Sequence, residues 1–370
     1  SSDLGYAEFS PAGGFSTILP SSMVEQADGK IIIGGSFSGS ATKQSDFAVI
    51  RLTRNGTLDT SFGNGGIVLI GDDSDEYGTD VVVYPNGKIA IVGFFYDAQD
   101  GEGTGIVRLN SDGSLDSTFG SGGIFLSTHT STSPQLALQS SGDLIMAMHA
   151  EVAQNGDLDF FAQRITDEGT VDLTFGLLGG AIVAAAGSSE ELIEVLIDAN
   201  DSIYLVGNTA GGSVEGIGVV KLTSNGAEDD SFSENGRFAL KIAPSTDSFS
   251  SAATLHQNGT LIVAGGIGEF QSNQINQFVI HLNANGVLDN AFSNDGILID
   301  AITNNQNEIP IAVGSLSDKS FWVAGSYEGG SYVSRYAEPA PTATPTHTPT
   351  QTSTPTNTPT ATAKIGRAHV

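Results

Sequence analysis

Cysteine is absent from the 370 residues, so neither a disulfide framework nor a thiolate metal site can form, and stability must come from packed apolar faces. Basic side chains are few: 14 Lys and Arg stand against 42 Asp and Glu, a formal net charge of −28. That charge repels phosphate backbones and anionic membranes, which excludes nucleic acid as a partner. No apolar run approaches the roughly 18 residues of a membrane-crossing helix, so no membrane insertion is expected, and no signal peptide is visible at Ser1. The single tryptophan, Trp322, leaves little for stacking sugars and reads as core. Glycine, in contrast, is plentiful: 47 residues distributed along the chain favour many short strands over long helices, and an all-β fold is the expectation.

Self-comparison reveals a fixed period, the signature of a repeat architecture. The segment NGTLDTSFG at 55–63 returns as DGSLDSTFG at 112–120, EGTVDLTFG at 168–176, NGAEDDSFS at 225–233 and NGVLDNAFS at 285–293. Its phenylalanines, Phe62, Phe119, Phe175, Phe232 and Phe292, are 57, 56, 57 and 60 residues apart. A second motif keeps the same beat in six copies: DGKIIIGG from Asp28, NGKIAIVG from Asn86, SGDLIMAM from Ser141, NDSIYLVG from Asn200, NGTLIVAG from Asn258 and DKSFWVAG from Asp318.

Each unit reads as four short strands, such as 79–85, 88–95, 105–110 and 122–127. Asn-Gly or Asp-Gly between the first two suits a tight type I′ hairpin, so neighbouring strands are antiparallel. One four-stranded sheet cannot bury both faces alone, and radial stacking of the copies gives a six-bladed β-propeller. The sixth copy lacks an NGxLDxxF segment and a fourth strand, while residues 1–20 have no blade of their own. An N-terminal strand, at 7–9 or 15–19, is therefore expected to complete the last blade and close the ring, with an open arc or a truncated seven-bladed ring as the alternatives.

The NGxLDxxFG and DGKIxxxG segments resemble the bacterial delta-60 repeat, over roughly residues 22–336. Copy four departs with Glu228 in place of leucine, and Ser233 and Ser293 replace the glycine after phenylalanine in copies four and five. The resemblance implies a propeller-like repeat on extracellular or surface proteins and brings no catalytic residues. The expected domains are a propeller over 1–338, a disordered Thr/Pro-rich stalk or linker over 339–363, and a final KIGRAHV at 364–370 that resembles a translated sequencing adapter.

Chemistry is harder to find. The histidines at 129, 149, 256, 281, 347 and 369 form no HExxH pair, and no GxSxG elbow occurs. The GEGTG stretch from Gly101 lacks the strand-then-helix setting of a phosphate loop. Asp59, Asp116, Asp172, Asp229 and Asp289 recur in five copies, which points to fold: a carboxylate before a tight connection accepts backbone N–H groups. Variable loops gather on the opposite face of the ring, where Asp72, Asp73, Asp75, Glu76, Asp97, Asp100 and Glu102 would lie together and could hold calcium or meet a partner. No cofactor is otherwise implied. The leading expectation is a non-catalytic binding or structural scaffold outside the cell, meeting an unidentified protein, glycan or cation through this loop face. The alternative is a secreted hydrolase or lyase in the propeller channel, which predicts inward-facing acids or bases confined to one or two blades.

Overall fold

The computed structural model describes residues 17–38, 44–71, 75–97, 101–151, 157–185, 189–211, 216–243, 247–256, 258–269, 274–302, 307–318, 320–337 and 364–369. They form strands and turns and no helix. Blade one holds β1 (Thr17–Glu25), β2 (Ile31–Ser38), β3 (Asp46–Leu52) and β4 (Ile67–Ile70). Blade two holds β5 (Asp75–Val83), β6 (Ile89–Asp97), β7 (Gly101–Leu109) and β8 (Ile124–Leu126). Blade three holds β9 (Gln135–Leu138), β10 (Leu144–Glu151), β11 (Leu158–Ile165) and β12 (Gly180–Val183). Blade four holds β13 (Ser189–Ile197), β14 (Ile203–Ala210), β15 (Gly216–Leu222) and β16 (Arg237–Leu240). Blade five holds β17 (Asp247–Leu255), β18 (Leu261–Glu269), β19 (Gln274–Leu282) and β20 (Ile297–Asp300). Blade six holds β21 (Ile309–Ser315), β22 (Phe321–Tyr327), β23 (Gly330–Tyr336) and β24 (Lys364–His369). Every blade is an antiparallel meander in chain order, the six-bladed propeller that the repeat predicts. The first strands of successive blades touch one another from β1 through β21, which makes them the inner wall around the axis.

The core lies between blades. Ile32, Phe47, Val49 and Phe62 pack on Val81, Ile89, Ile91 and Val107, and four equivalent clusters join blades two to three, three to four, four to five and five to six. The five motif phenylalanines are fully buried wedges in or beside these seams. The first three are backed by a strand-three guanidinium, whereas Lys221 of blade four lies over Tyr204 and the His281 ring of blade five stacks on Phe292. The Arg51, Arg108 and Arg164 guanidinium carbons lie 4.5, 4.5 and 5.1 Å from the ring centres of Phe62, Phe119 and Phe175. Each of these guanidiniums also pairs with the motif aspartate eight residues on, Asp59, Asp116 or Asp172, at 2.7 to 2.9 Å. Lys221 meets Asp229 at 2.9 Å, and His281 stands 3.5 Å from Asp289 with its ring 4.7 Å from that of Phe292.

The same cations reach the following blade. Arg51 donates to the Ser111 carbonyl, Arg108 to the Asp167 carboxylate and Arg164 to the Ser224 carbonyl. Beside them Gly63 N–H donates to Asp112 O, Gly120 N–H to Glu168 O, Gly176 N–H to Asn225 O and Ser233 N–H to Asn285 O. Each motif is thereby hydrogen-bonded to its counterpart one blade on. The residue after phenylalanine must sit at positive φ for this donation: Gly63, Gly120 and Gly176 lie at 50° to 54°, and Ser233 and Ser293 adopt 45° and 54° in their place, so copies four and five keep the turn without glycine.

Three expectations need correction. The first-to-second hairpins are not type I′, because of each Asx-Gly pair only the glycine has positive φ, as in Gly29 and Gly87. Asp28 and Asn86 instead accept the backbone N–H of Lys30 and Lys88. The N-terminal strand does not complete blade six: Thr17–Glu25 is the first strand of blade one, and the fourth place in blade six is held by Lys364–His369 against β23. A strand pairs most readily with the neighbour that a short hairpin brings back to it, which keeps β1 on β2. Among the described residues no apolar cluster joins blade six to blade one, and Leu19, Met23, Ile311 and Val333 remain exposed there. The candidate strand at 7–9 and the Thr/Pro tract at 339–363 lie outside the described residues. Trp322, expected in the core, is half-buried beside Gly314.

One irregularity shapes the axis. The inner strands of blades one, two, four, five and six each carry a bulge, between Pro20 and Ser22, Gly78 and Asp80, Leu192 and Glu194, Ser250 and Ala252, and Pro310 and Ala312. Opposite each stands the last glycine of the DGKIxxxG motif: Gly35, Gly93, Gly207, Gly265 and Gly325. A Cβ on any of them would collide with a carbonyl oxygen of the bulged strand, that of Leu19, Tyr77, Glu191, Phe249 or Ile309. Blade three has Met148 in place of this glycine, and β9 pairs with β10 without a shift. Glycine thus admits the close carbonyl approach on which the bulge depends.

Three outcomes are expected. Phe119→Ala costs about 3–5 kcal/mol in urea unfolding, the range for emptying a fully buried aromatic site. Gly207→Ala costs about 1–3 kcal/mol by overpacking the bulge of blade four. His281 is buried, and burial holds its imidazole below the ordinary value against the opposing pull of Asp289, with His256 adding to the depression. Its folded pKa therefore lies below the unfolded one, so its neutral form is native and stability falls as pH drops through about 6.5 and below. Melting between about pH 7 and pH 5 should show a smaller loss in His281→Gln than in the parent.

Candidate functional site

One residue per blade stands at an equivalent register position of the inner strands, directly after the bulge in the five blades that have one. Strand register identifies this ring as Ser22, Asp80, Gln135, Glu194, Ala252 and Ala312, paired with Gly34, Val92, Ala147, Val206, Ala264 and Ala324. Blades one to four contribute polar side chains, and blades five and six contribute methyl groups. The repeat is therefore broken at the one position where a bulge re-aims a side chain.

Asp80 is the centre of this arc. It accepts the Ser22 hydroxyl of blade one at 2.6 Å and the Leu136 N–H of blade three at 2.9 Å, as well as the Val81 N–H at 2.7 Å. A side chain that reaches the inner strands of both neighbouring blades lies at the axial edge of its own. Burial pushes its carboxyl above the usual value, and these three donors oppose that rise by favouring the charged form. Glu194, two blades on, is raised further: burial is the main cause, and the charge of Asp80 is the next. Its only opposing hydrogen bond comes from the Val195 N–H. Both carboxyls are thus pushed toward their neutral forms, Asp80 against three donors that favour its charge and Glu194 against one. Two carboxyls in unequal hydrogen-bonding environments thus stand at the same register position of the inner strands, two blades apart.

The residues singled out from sequence lie elsewhere. Asp59, Asp116, Asp172, Asp229 and Asp289 sit in the third-to-fourth turns, each accepting the backbone N–H two residues on, from Ser61, Thr118, Thr174, Ser231 and Ala291. The Ser61 hydroxyl is the first cause holding Asp59 well below the usual carboxylate range. Burial works against the Asp116 charge, yet Lys88, Thr118 and Arg108 hold it equally low. Of the loop-face acids, Asp72, Asp73 and Asp100 lie outside the described residues, as does the side chain of Asp97. Asp75 accepts the Ser45 N–H at 2.8 Å, Glu76 is buried and Glu102 is exposed. Among the described residues no three His, Asp or Glu side chains converge where a metal ion could sit. Asp80 and Glu194 were not singled out by sequence reasoning. Their signal was available as the residue six positions before each hairpin Asx, but only the bulge turns that position toward the axis.

Residues 26–62 and 85–119 match a domain of unknown function (DUF5122) described as a β-propeller, each match running from a first hairpin to a motif phenylalanine. No curated protein matches the chain. Among solved structures, an ulvan lyase, a polysaccharide lyase, is similar with a TM-score of 0.50 at 10% identity, covering 88% of this chain and 82% of its own. An α-L-arabinofuranosidase of Fusarium graminearum has a TM-score of 0.46 at 12% identity, covering 89% and 96%. Drosophila semaphorin 1b, extracellular domains 1–2, has a TM-score of 0.45 at 9% identity, covering 87% and 75%. The expectation that this chain is not an enzyme is corrected: its fold is shared with a polysaccharide lyase, so the propeller does not argue against catalysis. The six-bladed ring and the two matched segments together fit the chain to a β-propeller repeat family.

Proposed function

We propose that this protein is a glycan-cleaving enzyme, a hydrolase or lyase, whose site is the propeller channel. The observation that carries the reading is the pair of carboxylates, Asp80 and Glu194, on the bulged ring position of blades two and four, one with three hydrogen-bond donors and the other with its proton retained by burial. Glu194 acts as the acid that protonates the leaving oxygen, and Asp80 acts as the base. Ser22 fixes the Asp80 carboxylate from blade one, and Gln135 stands between the two acids on the ring. The likeness to an ulvan lyase supports the fold's capacity for such work. A site of action outside the cell belongs to the same proposal.

Glu194→Gln should lower kcat on a cleaved glycan by about 10²–10⁴-fold, the usual contribution of a positioned general acid, with an unchanged melting temperature. Activity should fall on the acid side as Asp80 gains its proton and on the alkaline side as Glu194 loses its own; the alkaline limb should vanish in Glu194→Gln. A variant with parental rates and an unchanged pH profile would remove Glu194 from the reaction.

A further inference from the structure

We propose that the substrate is an uncharged glycan and that the reaction is hydrolysis, an inference that rests on the channel being the active site. The six inner strands carry eight carboxylates, Glu25, Asp75, Glu76, Asp80, Glu190, Glu191, Glu194 and Asp247, and no lysine, arginine or histidine. Cations do occur one layer out, on the third strands, but Arg51, Arg108, Arg164 and Lys221 are each paired with a motif aspartate. Glu76 and Glu190 are buried, and the rest give the described inner strands carboxylates and no counter-charge for a polyanion. Like charges repel, so each uronate or sulfate entering the ring weakens binding.

Elimination has a second requirement, and toward it the described inner strands supply no cation. A lyase removes the proton beside a uronate carboxylate, and the carbanionic charge that develops there has to be neutralised by a cation or an equivalent donor. Hydrolysis needs only what Asp80 and Glu194 provide. Water forms the new bond to the anomeric carbon and gives its proton to Asp80, while the bond from that carbon to the leaving oxygen breaks and Glu194 delivers its proton to that oxygen. One water is consumed, and the site resets when Asp80 releases the proton it gained to solvent and Glu194 takes one up. The methyl groups of Ala252 and Ala312, on the far side of the ring from Asp80, suit the C–H face of a neutral sugar, and Ser22 and Gln135 suit its hydroxyls.

The full chain can be incubated with arabinan, xylan and a mixed-linkage glucan on one side and polygalacturonate, alginate and a sulfated glucuronan on the other. Reducing ends and the near-ultraviolet absorbance of unsaturated uronates are followed together. The expected result is reducing ends from a neutral glycan, no unsaturated product from any, and polygalacturonate inhibition that tightens about tenfold in Ala252→Lys or Ala312→Lys, whichever folds. Cleavage of a polyanion with an unsaturated product overturns this inference and leaves the channel site standing. Absence of cleavage of every glycan by the parent protein removes the channel reading itself.

Discussion

Blades one, two and three are each fastened to the next by a strand-three arginine gripped between a motif aspartate and a motif phenylalanine. In blade two the Arg108 guanidinium lies over Phe119, pairs with Asp116 and reaches Asp167 of blade three. A buried charge of this kind is tolerable only with its partners in place, since either group alone would be stranded away from water. The grip therefore links three things: the turn that holds the aspartate, the apolar wedge between the sheets, and the position of the following blade. Repetition of this unit orients the sheets around an axis without any disulfide, and blade five weakens it by presenting His281 instead of a permanent cation.

The channel depends on that orientation. Ser22, Asp80 and Leu136 come from three blades, and their hydrogen bonds exist only because the seams fix the inner strands relative to one another. In every blade but the third, the glycine of the second strand admits the carbonyl of the first, and the register shifts at the next residues. Glycine and bulge recur in five blades, and the residue placed there varies from serine to aspartate, glutamate and alanine. The scaffold is repeated while carboxylates at this position are confined to blades two and four, the division between fold and site that lets one architecture serve different functions.

Much of the fold was legible because it is written several times. A period of about 57 residues, two motifs and alternating apolar runs specify four-stranded units, and the motif phenylalanines were recognisable as wedges from the same recurrence. The cations opposite the aspartates were harder to see, because Arg51, Arg108, Arg164, Lys221 and His281 vary in type and lie on a different strand from the turn they serve. The acids of the channel were obscured differently: in a chain with 42 carboxylates, Asp80 and Glu194 are ordinary until the bulge distinguishes them.

By itself the sequence determined the repeat, the strands, their antiparallel order and the apolar wedges, because these follow from local periodicity and turn chemistry. Only the tertiary structure decided which residues face the axis, where β1 and β24 pair, and which two carboxylates share a field. The physical reason is that strand alternation is a local property, whereas a bulge resets it through a contact between backbones, and the pKa of a carboxyl is set by neighbours that the chain brings together from more than one hundred residues apart, as with Asp80 and Glu194.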